Sequence, residues 1–122
     1  MPRFTPAPGD LAALLEEAKA EGPGAALAAR RAAVLAERAH PELAREALAV
    51  ALRLEPRDPA PRLHLARLHG EAGELEQAKA EANTVLREAD DEAARARAAF
   101  MLGEIARAQG EETEARGFYE TL

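Results

Sequence analysis

Three histidines, His40, His64 and His69, are the side chains best suited to acid–base or metal chemistry near neutral pH. A shared metal ion needs both imidazoles on one face, yet five residues separate His64 from His69, which places them ~140° apart around an α-helix. The chain has no cysteine and no serine, so the commonest activated nucleophiles are absent. We therefore expect no catalytic residue, no metal site, no cofactor and no enzymatic activity.

The abundant carboxylates do not change this expectation, because they lie close to arginines, as Glu42 does to Arg45. Solvated helix faces explain such a pattern. The stretches EGPG at 21–24 and GEAG at 70–73 lack the preceding strand and the lysine of a phosphate-binding loop. A small enzyme or ligand-binding helical bundle stays an alternative, and it requires a closed pocket lined by clustered polar groups.

The composition limits the possible partners and the fold class. A chain of 122 residues suits a single domain, and aromatic residues are only 3% of it, which favours closely packed helices over a sheet. The net charge of −6 predicts no nucleic-acid partner and no anionic membrane surface. Without a signal-peptide pattern or an apolar run of ~20 residues, the sequence predicts a soluble cytoplasmic protein.

Proline and glycine separate segments whose apolar residues recur at helical spacing, which predicts an all-α fold. Residues 1–9 look irregular, and Asp10 is the expected N-cap of the first helix. We predict seven helices, over approximately 10–20, 24–39, 41–55, 59–70, 74–89, 91–109 and 111–122.

The proline-rich stretch LRLEPRDPAP at 52–61 is predicted to join two helices. Pro56 ends one helix, Asp58 caps the next, and Pro59 and Pro61 lie in or beside its first turn, where a missing N–H is tolerated. The stretch is therefore interpreted as a joint within one domain over 10–122, and not as a linker between two domains.

Small residues repeat at two related spacings. Ala32, Ala66 and Gly103 in the first helices, and Ala44, Ala78 and Ala115 in the second helices, lie 34 and then 37 residues apart. The first value is the period of a helical hairpin repeat, and the second adds about one helical turn. Small residues at helix crossings let two backbones approach closely.

At these positions the chain resembles the tetratricopeptide repeat family, over about residues 25–122. Further residues that support the resemblance are Leu65, Leu102, Pro56 and the turn glycines Gly73 and Gly110. It implies a right-handed superhelix of antiparallel helix pairs, with an additional N-terminal helix and about three hairpins over 25–58, 59–92 and 96–122. The first of these departs most from the pattern, and a generic helical hairpin is the alternative there.

The resemblance also implies a non-catalytic scaffold whose first helices line a concave groove for a peptide or a partner helix. Apolar residues there would supply buried area and arginines would bind a carboxylate. The alternative is that these arginines pair with Glu37, Glu71 and Glu104 and bind no partner. The expected groove residues are Ala29, Arg30, Ala33, Glu37, Leu63, His64, Arg67, Glu71, Arg97, Phe100, Met101, Glu104 and Arg107.

A different expectation concerns the C-terminal helix, which ends in GFYETL without the polar capping helix that usually closes a solenoid. Phe118, Tyr119 and Leu122 are predicted to mediate self-association, so that the chain is a homo-oligomeric structural module. Ordinary packing of Phe118 and Tyr119 within the chain is the alternative, as is a chain that is part of a longer protein.

Overall fold

Seven α-helices make up the computed structural model over the residues that it describes, 8–122. Those residues contain no strand, so the predicted all-α fold is confirmed. None of the described helices is long and apolar enough to cross a lipid bilayer. The helices are α1 (Pro8–Lys19), α2 (Ala25–Ala36), α3 (Pro41–Leu54), α4 (Pro59–Glu71), α5 (Leu75–Glu88), α6 (Glu92–Ala108) and α7 (Glu112–Glu120).

The observed helix ends lie close to the predicted ones, with two informative differences. Helix α1 begins at Pro8, where proline is tolerated because the first helical N–H needs no partner, so Asp10 lies inside the helix and is not its N-cap. Helix α2 ends at Ala36, earlier than expected, because Pro41 disfavours helical backbone at His40 and the chain turns before it. The predicted irregular segment 1–9 otherwise falls on residues outside the described ones.

The chain divides into two compact units, one ending at Pro56 and the other beginning at Arg57. The boundary lies inside LRLEPRDPAP, where the carboxylate of Asp58 accepts a hydrogen bond from the backbone N–H of Ala60 at 3.0 Å. Asp58 is therefore the N-cap of α4, as predicted. The single continuous domain over 10–122 stays a prediction.

In the first unit, α2 contacts both α1 and α3 through small side chains. Leu11 and Leu15 of α1 and Leu48 of α3 are buried, with at most 4% of their surface exposed. Small side chains at a helix crossing allow the two backbones to approach closely. The buried residues of α2 are Ala25, Ala28, Ala29, Ala32, Ala33 and Ala36.

In the second unit, bulkier residues join α4, α5, α6 and α7. One buried cluster consists of Leu63, Val85, Ala94 and Ala98, with Leu86 and Met101 packed against it. A second consists of Ala66, Ala82 and Leu102, with Phe118 packed against it. Both clusters combine residues of α4, α5 and α6, so they fix the hairpin α4–α5 against the next first helix.

The two hairpin turns of the second unit have the same geometry. Gly73 and Gly110 adopt φ angles of 79° and 78°, in the left-handed region that favours glycine. In each turn the residue after the glycine donates its N–H to a carbonyl five residues earlier, Glu74 to His69 and Glu111 to Ala106, both at 2.8 Å. This is the Schellman pattern of helix termination, and it confirms the predicted turn glycines.

Candidate partner-binding surfaces

The predicted groove residues of the second unit lie on α4 and α6, which contact each other. Arg67 and Glu71 of α4 and Arg97 of α6 are exposed, whereas His64 and Met101 are partly buried. We treat the exposed faces of these two neighbouring helices as one candidate surface, the α4–α6 surface. Leu63 is only 8% exposed and belongs to the core cluster with Val85, so it underlies this surface and offers little area to a partner.

Two arginines of this surface have carboxylate neighbours on their own helix. The Arg67 guanidinium donates to Glu71 at 2.9 Å, and Arg107 lies 3.8 Å from Glu104. Glu71 and Glu104, two of the three partners named in the alternative interpretation, are therefore paired. Exposed pairs at i,i+3 and i,i+4 contribute only about 0.2–0.5 kcal/mol, so a partner's carboxylate can replace them at small cost.

The first unit places its predicted groove residues differently. Arg30 is exposed and Glu37 is partly buried. Ala29 and Ala33 are completely buried, with 0% of their surface exposed, because α2 turns its alanine face into the unit. The groove predicted on the first repeat therefore has neither alanine available to a ligand.

The aromatic residues of the last hairpin contact one another. The rings of Phe100 and Tyr119 lie 6.1 Å apart between centroids and are tilted by 50°. Tyr119 also covers Gly103, where an added Cβ would lie 2.7 Å from the ring atom Cε1. Glycine at this crossing thus makes room for the tyrosine ring, and Ala66 fills the same position of the preceding hairpin.

A polar chain links α7 back to α6. The Tyr119 hydroxyl donates a hydrogen bond to the Glu104 carboxylate. This hydrogen bond is the main cause that raises the pKa of Tyr119 above its ordinary value, so the hydroxyl keeps its proton over the neutral range. Hydrogen bonding with Tyr119, followed by the charge of Glu104, also raises the pKa of Arg107. The contacts hold Tyr119 against α6.

The three residues predicted to mediate self-association have different environments. Phe118 is partly buried and packs against the cluster of Ala66, Ala82 and Leu102. Tyr119 is partly buried as described, whereas Leu122 is 59% exposed. Leu122 therefore has the most surface available to a partner, and Phe100, 51% exposed, adds to it on α6.

Two of the polar contacts that the sequence did not predict involve α4. Nδ1 of His69 lies 3.2 Å from Oε1 of Glu74, because the Gly73 turn returns the chain toward the end of α4. Arg62 donates to Glu81 at 3.2 Å and joins α4 to α5, with both side chains less than one-third exposed. Gly73, just after the end of α4, is the sequence signal that could have predicted the contact between His69 and Glu74. The second joins two helices and has no local sequence signal.

The described residues show no candidate metal site, and a surface depression lies in the first unit. Within 8–122, no three histidine or carboxylate residues come together in an arrangement that could hold a metal ion. An open depression of ≈ 430 Å³ in the first unit is lined by Lys19, Glu46, Ala49, Val50 and Arg53. Its cations face carboxylates, since Lys19 lies 2.9 Å from Glu46 and Arg53 lies 3.6 Å from Glu21.

A sequence model of the tetratricopeptide repeat matches residues 35–99, slightly more than half of the chain. The chain belongs to the tetratricopeptide repeat family. The match runs from the end of α2 into α6 and includes both Pro56 and the Gly73 turn. No curated protein and no solved structure matches the chain significantly.

Membership of the tetratricopeptide repeat family implies the helical-hairpin solenoid that the resemblance predicted. Tetratricopeptide repeats generally mediate interactions between proteins. For this tetratricopeptide repeat chain the relevant chemistry is therefore that of exposed helix faces, and the α4–α6 surface and the end of the second unit are the two candidates.

Proposed function

We propose that the chain is a non-catalytic interaction module that binds a peptide or helix of another protein on the exposed faces of α4 and α6. The observation that supports this proposal is the partly buried Met101, on a surface that also exposes Arg67 and Arg97. A flexible apolar side chain among arginines is suited to a ligand with both apolar and acidic groups.

The arginines determine the chemistry of the expected ligand. A guanidinium can bind a carboxylate through two parallel hydrogen bonds. The present partner of Arg67 is Glu71, and because this ion pair is exposed, a carboxylate of the ligand can replace Glu71 at small cost. Met101 supplies apolar area next to this charge. A short acidic segment that contains one large apolar residue fits both features, and no metal, cofactor or catalytic residue takes part.

Selection from a displayed peptide library tests this function without knowledge of the natural partner. We expect enrichment of peptides that combine Asp or Glu with a large apolar residue. Arg67→Glu with Arg97→Glu should abolish their binding in calorimetric titration while the helical circular dichroism is kept.

The matched control is Arg87→Glu with Arg95→Glu, which makes the same change in charge at exposed positions. Arg95 is on α6 like Arg97 but lies about 200° away around the helix, so this variant should bind as the wild type does. If both double variants lose peptide binding equally, the loss is an effect of net charge. If the variant at Arg67 and Arg97 binds peptides as the wild type does, the α4–α6 surface is not the binding site.

Self-association is a second candidate function, favoured by one observation. Phe100 and Leu122, both more than half exposed, lie on the last hairpin, where Tyr119 also packs. Large apolar side chains at a shared surface mark association sites when they are grouped. This function would make the chain a structural module in addition to an adaptor.

A further inference from the structure

Five large hydrophobic residues in the described part of the chain are markedly exposed. Leu27, Val34 and Leu35 on α2 are 54%, 62% and 40% exposed, and Phe100 and Leu122 are 51% and 59% exposed. Single exposed hydrophobic residues are normal on protein surfaces. These five, however, occupy particular positions of the repeat, and the packing of α4 and α5 onto α6 shows what those positions do.

The contact of the hairpin α4–α5 with α6 provides the reference. Leu63 of α4 and Val85 of α5 pack together with Ala94 and Ala98 of α6. Ala82 of α5 lies in the second cluster with Leu102 of α6. One flank of the hairpin therefore donates a large residue from each helix, and α6 receives them on one face.

The last hairpin presents the same donor flank 37 residues further along the chain. Phe100 of α6 occupies the position of Leu63 and Tyr119 of α7 that of Ala82, while Leu122 lies 37 residues after Val85 but beyond the end of α7 at Glu120. The reference residues Leu63 and Val85 are 8% and 2% exposed, whereas Phe100 and Leu122 are more than half exposed. We call Phe100, Tyr119 and Leu122 the C-terminal flank.

Helix α2 presents the receiving face, 71 residues before its counterpart on α6. Leu27 occupies the position of Ala98, which packs against Leu63 and Val85, and Val34 and Leu35 occupy those of the buried residues Ile105 and Ala106 further along α6. The α6 residues are at most 8% exposed, while their α2 counterparts are at least 40% exposed. Arg31 completes this face in the position of Leu102. We call Leu27, Arg31, Val34 and Leu35 the N-terminal flank.

We propose that the chain associates head to tail, the C-terminal flank of one copy packing on the N-terminal flank of a second copy. The contact between two chains would use the same repeat positions as the packing of α4 and α5 against α6 within one chain. It rests on the second candidate function above and adds the receiving surface, so the interface is heterologous and joins two different faces.

Charge favours this occupant over an unrelated apolar partner. Helix α2 contains Arg30 and Arg31 and no carboxylate, in a chain whose net charge is −6. Helix α7 contains Glu112, Glu114 and Glu120 and one arginine. In the reference register Arg31 lies opposite Tyr119, so its guanidinium meets an aromatic ring near carboxylates.

The side chains of the proposed interface are larger than those of the reference. Phe100 and Leu27 replace Leu63 and Ala98, and Tyr119 replaces Ala82. The helices of two copies must therefore cross at a greater distance than α5 and α6 do. A wider contact with a polar centre predicts association that depends on protein concentration and weakens with salt.

Sedimentation equilibrium over a range of concentrations tests the proposal. The wild type should increase in average mass with concentration. Phe100→Glu with Leu122→Glu, and separately Leu27→Glu with Val34→Glu, should each give a monomer. An equimolar mixture of these two variants should give a dimer and nothing larger, because each retains the flank that the other has lost.

The control variant, Ala49→Glu with Ala80→Glu, adds the same charge at exposed positions of α3 and α5 and should associate as the wild type does. Circular dichroism verifies that every variant is helical. Tyr119 is the sole tyrosine and the chain has no tryptophan, so tyrosine fluorescence should change when the two flank variants are mixed.

Each contrary result has a separate meaning. A wild type that is monomeric at every concentration overturns both this proposal and the second candidate function. Association that survives Leu27→Glu with Val34→Glu, or a flank-variant mixture that stays monomeric, overturns the head-to-tail contact alone. Peptide binding on α4 and α6 is tested separately through Arg67 and Arg97, which belong to neither flank.

Discussion

The first and second units build helical hairpins from the same repeat with different side chains. Helix α2 has six buried alanines and leaves its leucines and valine exposed. In the second unit, by contrast, Leu63, Val85 and Leu102 form the clusters between helices. Because the buried residues of α2 are all alanine, α2 and the leucine-containing clusters of the second unit should respond in opposite ways to changes of residue size.

Helix ends differ between the units as well. The first helices of the second unit have aspartate caps, and the N–H of Ala93 bonds to Asp91 at 3.0 Å as that of Ala60 does to Asp58. In the first unit, Gly24 precedes α2 without a side-chain cap, whereas α3, α5 and α7 lack such a cap in both units. Both units therefore keep helices at the spacing of the repeat, although only the second unit has side-chain caps at the starts of its first helices.

The largest expected effect on stability comes from the cavity left by truncating a buried leucine of the second unit. Leu102→Ala removes a side chain that is 1% exposed and should lower the free energy of unfolding by about 2–5 kcal/mol. Arg31→Ala, at the same position of the repeat in the exposed face of α2, should change it by less than about 0.5 kcal/mol in dilute solution. Urea denaturation followed by circular dichroism measures both, and equal losses would contradict the difference between the units.

An intermediate effect on stability is expected when side-chain volume is added, and here the first unit should be the more sensitive one. Ala33→Leu adds volume where 0% of the side chain is exposed and should destabilise the protein by about 1–3 kcal/mol. Arg67→Leu, at the corresponding exposed position of α4, loses the exposed ion pair with Glu71 and should stay within about 0.5 kcal/mol of the wild type. Thermal unfolding of the two variants checks the order, and a stable Ala33→Leu protein would show that α2 packs loosely.

The smallest effect concerns the caps. Asp91→Ala removes the acceptor of the Ala93 N–H and should lower the free energy of unfolding by about 1 kcal/mol. His40→Ala removes no cap hydrogen bond and should be close to neutral. Denaturant titration at matched conditions measures the difference, which should vanish if capping is unimportant in this fold.

Much of the fold was predictable because its signals are local. Pro41 and Pro59 mark helix starts, Asp58 and Asp91 provide side-chain acceptors, and Gly73 supplies the left-handed residue of a turn. Each acts through a few neighbouring residues, so the sequence alone determines the corresponding helix ends. The start of α1 was missed because Asp10 and Pro8 both satisfy a local rule, and the helix begins at the earlier one.

The candidate surfaces were less predictable because burial depends on distant residues. Arg67, Arg97 and Met101 were identified from their positions in the repeat. The same rule selected Ala29 and Leu63, which are buried. The rule also could not anticipate that the ring of Tyr119 would fill the space above Gly103, since sixteen residues of chain must first fold back.

The sequence by itself determined seven helices, their turns and the spacing of the repeat, because capping, proline geometry and glycine conformation are properties of short segments. Only the tertiary structure decided which face of each helix is covered. Leu63 and Phe100 occupy one position of the repeat, yet the first is buried by α6 and the second is half exposed. A side chain's burial is set by the helix that packs on it, and that neighbour is not encoded in the residue's own surroundings in the chain.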